Sequence, residues 1–148
     1  MENLIILEIE NIVDCPKYMT EGQNKPWFET IPDNSDSPFI CIFAVIEEIV
    51  IGRARFFQTN DINGEKWYYG MLEVIDEYWR RGIAQSMVET GLENLRRKGA
   101  KKVCCDVRRS NIASVKLHEK LSFQINNNEK PPNNWWMQEG SDIYERIL

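Results

Sequence analysis

The residues with the most chemical character lie between positions 73 and 118. Arg80 and Arg81 stand directly before Gly82-Ile83-Ala84, and no acid follows until Glu89. A helix beginning here is unusual. First turns normally carry Asp or Glu, because their free N–H groups and the helix dipole leave positive potential there. A positive helix end that adds two cations calls for an external anion. Gly82 lets a ligand approach the backbone, and Ala84 keeps the next turn low, so the ligand implied is a polyphosphate. The alternative is a solvated arginine pair beside an ordinary strand-to-helix turn. Two carboxylates, Glu73 and Asp106, and the single histidine, His118, lie within the same stretch.

These residues need elements to hold them. Trp67 to Ile75 reads as a strand that breaks at Asp76-Glu77-Tyr78-Trp79. In the helix after it, Ile83, Ala84, Met87, Val88, Gly91, Leu92 and Leu95 share one face at spacings of three and four, and Gly99 stops it. Ala100 to Val107 is the next strand, and strand–helix–strand suggests a right-handed crossover with parallel pairing. Asn111 or Ser110 caps a second helix, Ile112 to Leu121, with Ile112, Val115, Leu117 and Leu121 as its apolar positions. Upstream, Leu4 to Ile9 is a first strand, and Asn11 to Thr30 holds one or two helical turns bracketed by Pro16 and Pro26. Pro32 to Pro38 is a loop by composition. Phe39 to Ile46 and Ile49 to Gln58 form a hairpin on Glu47-Glu48, with Arg53 and Arg55 on a wet face. Asp61-Ile62-Asn63-Gly64 is a turn. Downstream, Phe123 to Ile125 begins a sixth strand. Asn126 to Asn134 is a loop, and Trp135 to Gln138 and Ile143 to Leu148 supply closing strand material. Of Trp135 and Trp136, one is expected to pack and the other to line a pocket.

A chain of 148 residues with 43% apolar content fits a single soluble domain. No apolar run approaches a membrane span. The start, Met1-Glu2-Asn3-Leu4, has no basic segment ahead of its apolar run, so a cytoplasmic protein without a signal peptide is expected. A net charge of −5 argues against a general nucleic-acid binder. The cations nevertheless cluster at Arg80-Arg81, Arg96 to Lys98, Lys101-Lys102 and Arg108-Arg109, which suits an anionic cofactor. The four cysteines form no CxxC and read as reduced apolar fillers, with Cys104 and Cys105 on opposite faces of their strand. No metal site is legible with one histidine.

The six positions Trp79-Arg80-Arg81-Gly82-Ile83-Ala84 resemble the pyrophosphate loop of the GNAT superfamily of acyl-CoA-dependent N-acetyltransferases, Gln/Arg-x-x-Gly-x-Gly/Ala, with Trp79 departing at the first position. Asn111 to Phe123 is similar to the family's Asn-x-x-(Ala/Ser)-x-x-Leu-(Tyr/His)-Glu-x-x-Gly-Phe, with Ser122 at the glycine. The likeness covers roughly Trp67 to Phe123. It implies an α+β (α/β sandwich) fold: a mixed, mostly antiparallel six- or seven-stranded sheet, splayed at its centre, with flanking helices. It implies acetyl-CoA as acyl donor. Leu72, Glu73 and Val74 would pair with its pantetheine arm, and Arg80, Arg81, Gly82, Ile83, Ala84 and Gln85 would hold its pyrophosphate. Asn111 would bond the cofactor arm, and His118 would face the sulfur.

The reaction expected from this resemblance is transfer of the acetyl group to a primary amine by direct attack in a ternary complex. The attacking amine must be neutral, so a base must take its proton. Asp106, five residues before Asn111, matches the position of a catalytic Glu in some protein N-terminal acetyltransferases of this superfamily. Glu73 is the rival base, and water the third option. The Val74 backbone N–H is the implied oxyanion donor. His118 would stabilise the departing thiolate, although an imidazole of ordinary pKa near 6.5 is largely unprotonated at neutral pH, so direct protonation needs a raised pKa or a water. The acceptor is a small-molecule amine or a protein or peptide amine. No nucleic acid, membrane or metal is expected, and a homodimer is compatible with the reading. The competing function is a non-catalytic GNAT-fold module that senses acyl-CoA or binds a partner.

Overall fold

The computed structural model describes residues 3–32, 37–59, 65–133 and 135–148. The expected turn at Asp61-Ile62-Asn63-Gly64 and the centre of the Pro32 to Pro38 loop, Asp33 to Asp36, lie outside the described residues, as does Asn134. Among the described residues there are seven strands: β1 (Leu4–Ile9), β2 (Phe39–Ile46), β3 (Ile49–Gln58), β4 (Lys66–Val74), β5 (Lys102–Arg108), β6 (Gln124–Ile125) and β7 (Ser141–Ile147). The helices are α1 (Lys25–Phe28), α2 (Ile83–Arg97) and α3 (Ile112–Lys120). The hydrogen-bonded strand order is β1-β2-β3-β4-β5-β7-β6. The expected α+β architecture is therefore present, with β4 and β5 parallel and β5, β7 and β6 antiparallel neighbours. No described helix is long and apolar enough to cross a membrane.

The chain packs as two compact units, Met1–Phe56 with Met71–Gly91 and Phe57–Gly70 with Leu92–Leu148. In the first unit, β1 lies antiparallel to β2 from Leu4↔Ile46 to Ile9↔Cys41. β2 is buried along nearly its whole length, as its continuous apolar run requires. The Asn11 to Thr30 stretch forms three 3-10 turns, Ile12–Asp14, Lys17–Thr20 and Gly22–Asn24, followed by the single-turn α1. Its Met19 is fully buried, in a core with Ile9, Ile31, Cys41, Phe43, Val45 and Val50. The β2–β3 turn places Glu47 at φ 49° and Glu48 at φ 64°. Two consecutive left-handed residues match the twist of a hairpin, but glutamates adopt them at a cost. A buried Asn24 offsets that cost. Its amide donates to the carbonyls of Glu48 (2.7 Å) and Tyr18 (3.0 Å), and its oxygen accepts from the Val50 N–H (3.0 Å).

Of the predicted inner face of α2, Ile83, Met87, Val88, Gly91, Leu92 and Leu95 are buried and Ala84 is half-buried. Gly91 is there for contact, since a Cβ would meet the Phe56 ring at 2.2 Å. At the other end, Gly99 is left-handed at φ 85°, and the Ala100 N–H reaches back to the Leu95 carbonyl at 3.0 Å, closing a Schellman cap.

In the second unit, β4 pairs with β5 through Lys66↔Lys102, Trp67↔Val103 and Tyr68↔Cys104. β5 then pairs along its whole length with β7, from Lys102↔Ile147 to Arg108↔Ser141. Tyr68, Cys104 and Ile143 form a small core, covered by Phe57, Trp135 and Met137. Trp135 to Gln138 was expected as strand and forms none. Its backbone is drawn aside by the Trp135 indole, whose N–H is bonded to a carboxylate of β5. All four cysteines are free, and three are buried.

Asn24 gives a direct test of how the first unit is held. Asn24→Ala leaves the Val50 N–H and the Glu48 carbonyl without their partner, and it should lower stability by about 2–3 kcal/mol in chemical denaturation. A loss under about 0.5 kcal/mol, the range of ordinary surface substitutions, would show that the hairpin turn does not depend on it.

Candidate active site

The first unit carries the helix start that the sequence singled out. α2 has no acid in its first turn. Arg80 and Gly82 are both left-handed, at φ 61° and 76°. A left-handed arginine is a strained conformation at this helix start. Alternating backbone hands turn successive N–H groups toward one side, as an anion requires. Gly82 has open space where a Cβ would stand, so its role is conformational and leaves the approach clear. Ile83 is buried and anchors the turn, while the Gln85 amide donates to Glu89 at 2.9 Å. The Arg81 guanidinium lies over the Tyr78 ring at 5.0 Å, whereas Arg80 is exposed.

The end of β4 belongs to the same unit. Strand alternation leaves Glu73 exposed and Leu72 and Val74 half-buried. Met71 is left-handed at φ 58°, which interrupts the regular strand just ahead of them. Trp79, which stands in place of the family's Gln or Arg, turns its indole N–H onto the Val74 carbonyl at 2.6 Å. Glu73 is engaged by Arg53 at 3.3 Å, and the Arg53 guanidinium in turn covers the Trp27 ring at 5.6 Å. That ion pair ties the Glu73 carboxylate to β3.

In the second unit, alternation along β4 and β5 sorts the polar groups onto two faces. Tyr68 and Asp106 share one. The Tyr68 hydroxyl donates to Asp106 Oδ1 at 2.6 Å, and the Trp135 indole N–H donates to the same oxygen at 2.8 Å. Burial, then the Asp106 carboxylate, push the Tyr68 phenol far above its usual pKa, so it remains a donor. The rings of Phe57, Tyr68 and Trp135 pack with centroids 5.4–6.0 Å apart.

Tyr69, Cys105 and His118 share the other face. The Tyr69 hydroxyl donates to His118 Nε2 and is hydrogen-bonded to the Cys105 thiol. His118 Nδ1 lies 2.7 Å from the Ser114 carbonyl, which can only accept, so Nδ1 carries the proton and Nε2 accepts. The ring stacks on Tyr69 and meets Phe123 edge-on. Only 3% of His118 is exposed, and burial lowers its pKa from 6.5 despite the Ser114 bond. His118 is thus neutral, with both nitrogens occupied. The structure does not bring Asp106 and His118 together; they lie on opposite faces of β5.

Asn111 caps α3, accepting from the Ser114 N–H at 3.1 Å. Ser122 takes the place of the family's glycine without altering the cap: it is left-handed at φ 64°, and the Phe123 N–H bonds the His118 carbonyl at 2.9 Å. Ile112, expected on the apolar face, is exposed. Cys104, Glu129 and Glu145 come close enough to hold a metal, but two ammonium groups stand there instead. Lys66 (2.7 Å) and Lys102 both bond Glu129. Burial opposes the Glu129 charge, yet these bonds hold its carboxyl below the usual value.

Tyr68 and Tyr69 carry no role in the sequence reading. The adjacent tyrosines on one strand were a signal that two opposite faces each carry a hydroxyl, and Trp135-Trp136 was a recognised pair. Trp135 is the one that packs, and Trp136 is exposed.

The His118 geometry makes a pH prediction. Its folded pKa is depressed, so the unfolded chain binds the proton first, and stability should fall as pH drops below about 6.5. His118→Gln should flatten that fall above the range where carboxylates titrate. A ring-proton NMR titration of this single histidine with an apparent pKa above 6.5 would contradict the assignment.

The sequence profile of the acetyltransferase (GNAT) family matches residues 6–123. An N-alpha-acetyltransferase of Saccharolobus solfataricus is 22% identical over 133 residues, which cover 84% of this chain and 79% of that protein. An acetyltransferase from Streptococcus agalactiae superposes with a TM-score of 0.69 at 17% identity, over 100% of both chains. The PaiA N-acetyltransferase of Thermoplasma acidophilum, solved in complex with coenzyme A, gives a TM-score of 0.62 at 15% identity, covering 74% of this chain and 61% of that one. The present chain therefore spans about three-fifths of the Thermoplasma protein's length. With the profile running from β1 to the end of α3, this chain belongs to the acetyltransferase (GNAT) family and is an N-acetyltransferase that draws its acetyl group from acetyl-CoA.

Proposed function

We propose that the acceptor is a peptide or protein α-amine, attacked directly, with Asp106 as the base. One observation carries the reading: the Asp106 carboxylate is gripped through Oδ1 alone. No bond is made to Oδ2 among the described residues. The only buried side-chain nitrogen or oxygen without a partner there is Arg53 Nε, so Oδ2 is reached by solvent. A fixed carboxylate with one open oxygen is what a general base requires. Glu73, held by Arg53, is the weaker choice. The α-amine is the acceptor class named for the Saccharolobus relative.

Each residue then has its own task. Arg80 to Gln85 offer backbone N–H groups to the pyrophosphate, and Leu72 to Val74 offer strand edge to the pantetheine arm. The Val74 N–H stabilises the oxyanion formed when the amine nitrogen attacks the thioester carbon. Asp106 Oδ2 takes the amine proton, the carbon–sulfur bond breaks, and the thiolate is protonated by water. Asn111 contributes to the cofactor arm beside its capping bond. His118, expected to serve the thiolate, instead supports Tyr69, because neither ring nitrogen is free to give a proton.

Thiol release from acetyl-CoA with a short peptide bearing a free amino terminus tests this. Asp106→Asn should lower turnover at least about a hundredfold near neutral pH, and less at high pH, where more amine is already neutral. Equal loss at every pH would make Asp106 structural. Parent-like turnover would pass the base role to Glu73.

A further inference from the structure

The strip of Gly70, Tyr68 and Trp135 around Asp106 has no counterpart in the two family stretches recognised from sequence, and it has a structural logic of its own. Trp135 lies in an irregular segment ahead of β7, twenty-nine positions from Asp106, yet its indole N–H ends 2.8 Å from Oδ1. It can do so only because position 70 is glycine. A Cβ there would meet the Trp135 ring at 2.7 and 2.8 Å, closer than real Cβ contacts are found. Gly70 itself is in β4 and has no left-handed φ to require glycine. The missing side chain is therefore a seat for the indole. Phe57 and Tyr68 close the ring in from the sides, at 5.4 Å each.

Two donors on one carboxylate oxygen have a specific consequence. With Tyr68 on Oδ1 at 2.6 Å and Trp135 at 2.8 Å, rotation about the Cβ–Cγ bond is fixed. The lone pairs that remain open lie on Oδ2. An aspartate is one methylene shorter than a glutamate, so its reach is limited and its direction decides whether it meets a proton. Fixed donors supply that direction before the acceptor arrives.

We propose that Trp135, seated by Gly70, and Tyr68 are positioning residues that lock the Asp106 carboxylate so that Oδ2 is the oxygen that takes the proton. This rests on the reading of Asp106 as the base. Trp135 touches no reacting atom in this role; it acts only through the carboxylate.

The test is a double-mutant cycle between Trp135→Phe and Asp106→Asn, with acetyl-CoA and a short peptide bearing a free amino terminus. Trp135→Phe keeps an aromatic ring on Gly70 but removes the N–H. It should lower kcat about tenfold, the effect of one hydrogen bond to a charged group, with the KM for acetyl-CoA unchanged. In the Asp106→Asn background the same change should have almost no further effect. Gly70→Ala keeps the N–H but displaces the ring, and it should reproduce Trp135→Phe. In nitrogen-15 spectra the indole resonance missing from Trp135→Phe should shift in Asp106→Ala. Equal losses in both backgrounds would make Trp135 a packing residue only and overturn the proposal, as would an indole resonance indifferent to Asp106→Ala. Parent turnover in Trp135→Phe with slow Asp106→Asn would overturn the positioning role and leave the base standing. Parent turnover in Asp106→Asn would remove the base reading and the proposal with it.

Discussion

The parallel register of β4 on β5 is the constraint on which the second unit depends. Once Tyr68 lies opposite Cys104, alternation assigns every neighbouring side chain to its face. Tyr68 and Asp106 fall on one face, and Tyr69 and Cys105 on the other. A slip by one residue would exchange them, presenting Tyr69 to the carboxylate and Tyr68 to the histidine. The register is itself held at its first residues: Lys66 and Lys102, directly paired, are like charges that would repel, and both are gathered by Glu129. Three charged groups from β4, β5 and the loop after β6 thus fix a pairing whose consequences appear at Asp106 and His118.

Each face then solves a different physical problem. On the His118 face, a buried imidazole must be neutral and fully bonded, or its desolvation would go uncompensated. Ser114, Tyr69 and the ring contacts to Phe123 and Tyr144 meet that need. On the Asp106 face, the carboxylate keeps one oxygen bonded and one open. The first network closes on itself, and the second stops short of closing. The first unit shows the same contrast. Asn24 braces the strained β2–β3 turn through two bonds, to the Glu48 carbonyl and from the Val50 N–H, whereas the left-handed Arg80 and Gly82 have no such side-chain brace among the described residues. The strain in the turn is compensated within the scaffold, and the strain at the acid-free helix start is not.

Much of this was legible in the chain. The period of Ile83, Met87, Val88, Leu92 and Leu95 defined α2 and its buried face, and the resemblance in two stretches placed the fold. The acid-free start of α2 was readable from residue types alone. What could not be read depended on contacts between distant positions. Asn11 to Thr30 has no single period because each short turn is set by the β1–β2 face beneath it. The Trp135 segment is apolar enough to pass for a strand, but its backbone is set by an indole seated on Gly70. His118 was expected at the sulfur from its motif position. Helical spacing puts it on the inner side, as expected, but spacing says nothing of depth, and the hydroxyl that occupies Nε2 comes from β4.

In the proposed reaction a carboxylate at position 106, and not merely a well-packed side chain, accepts the amine proton. Chemical rescue tests it most directly. In Asp106→Gly the seat between Tyr68 and Trp135 remains while the carboxylate is gone, and added formate can occupy it. Formate should restore peptide acetylation to the glycine variant in a saturable manner, with no effect on the parent protein. A glycine variant that folds, binds acetyl-CoA and stays inactive at all formate concentrations would contradict it.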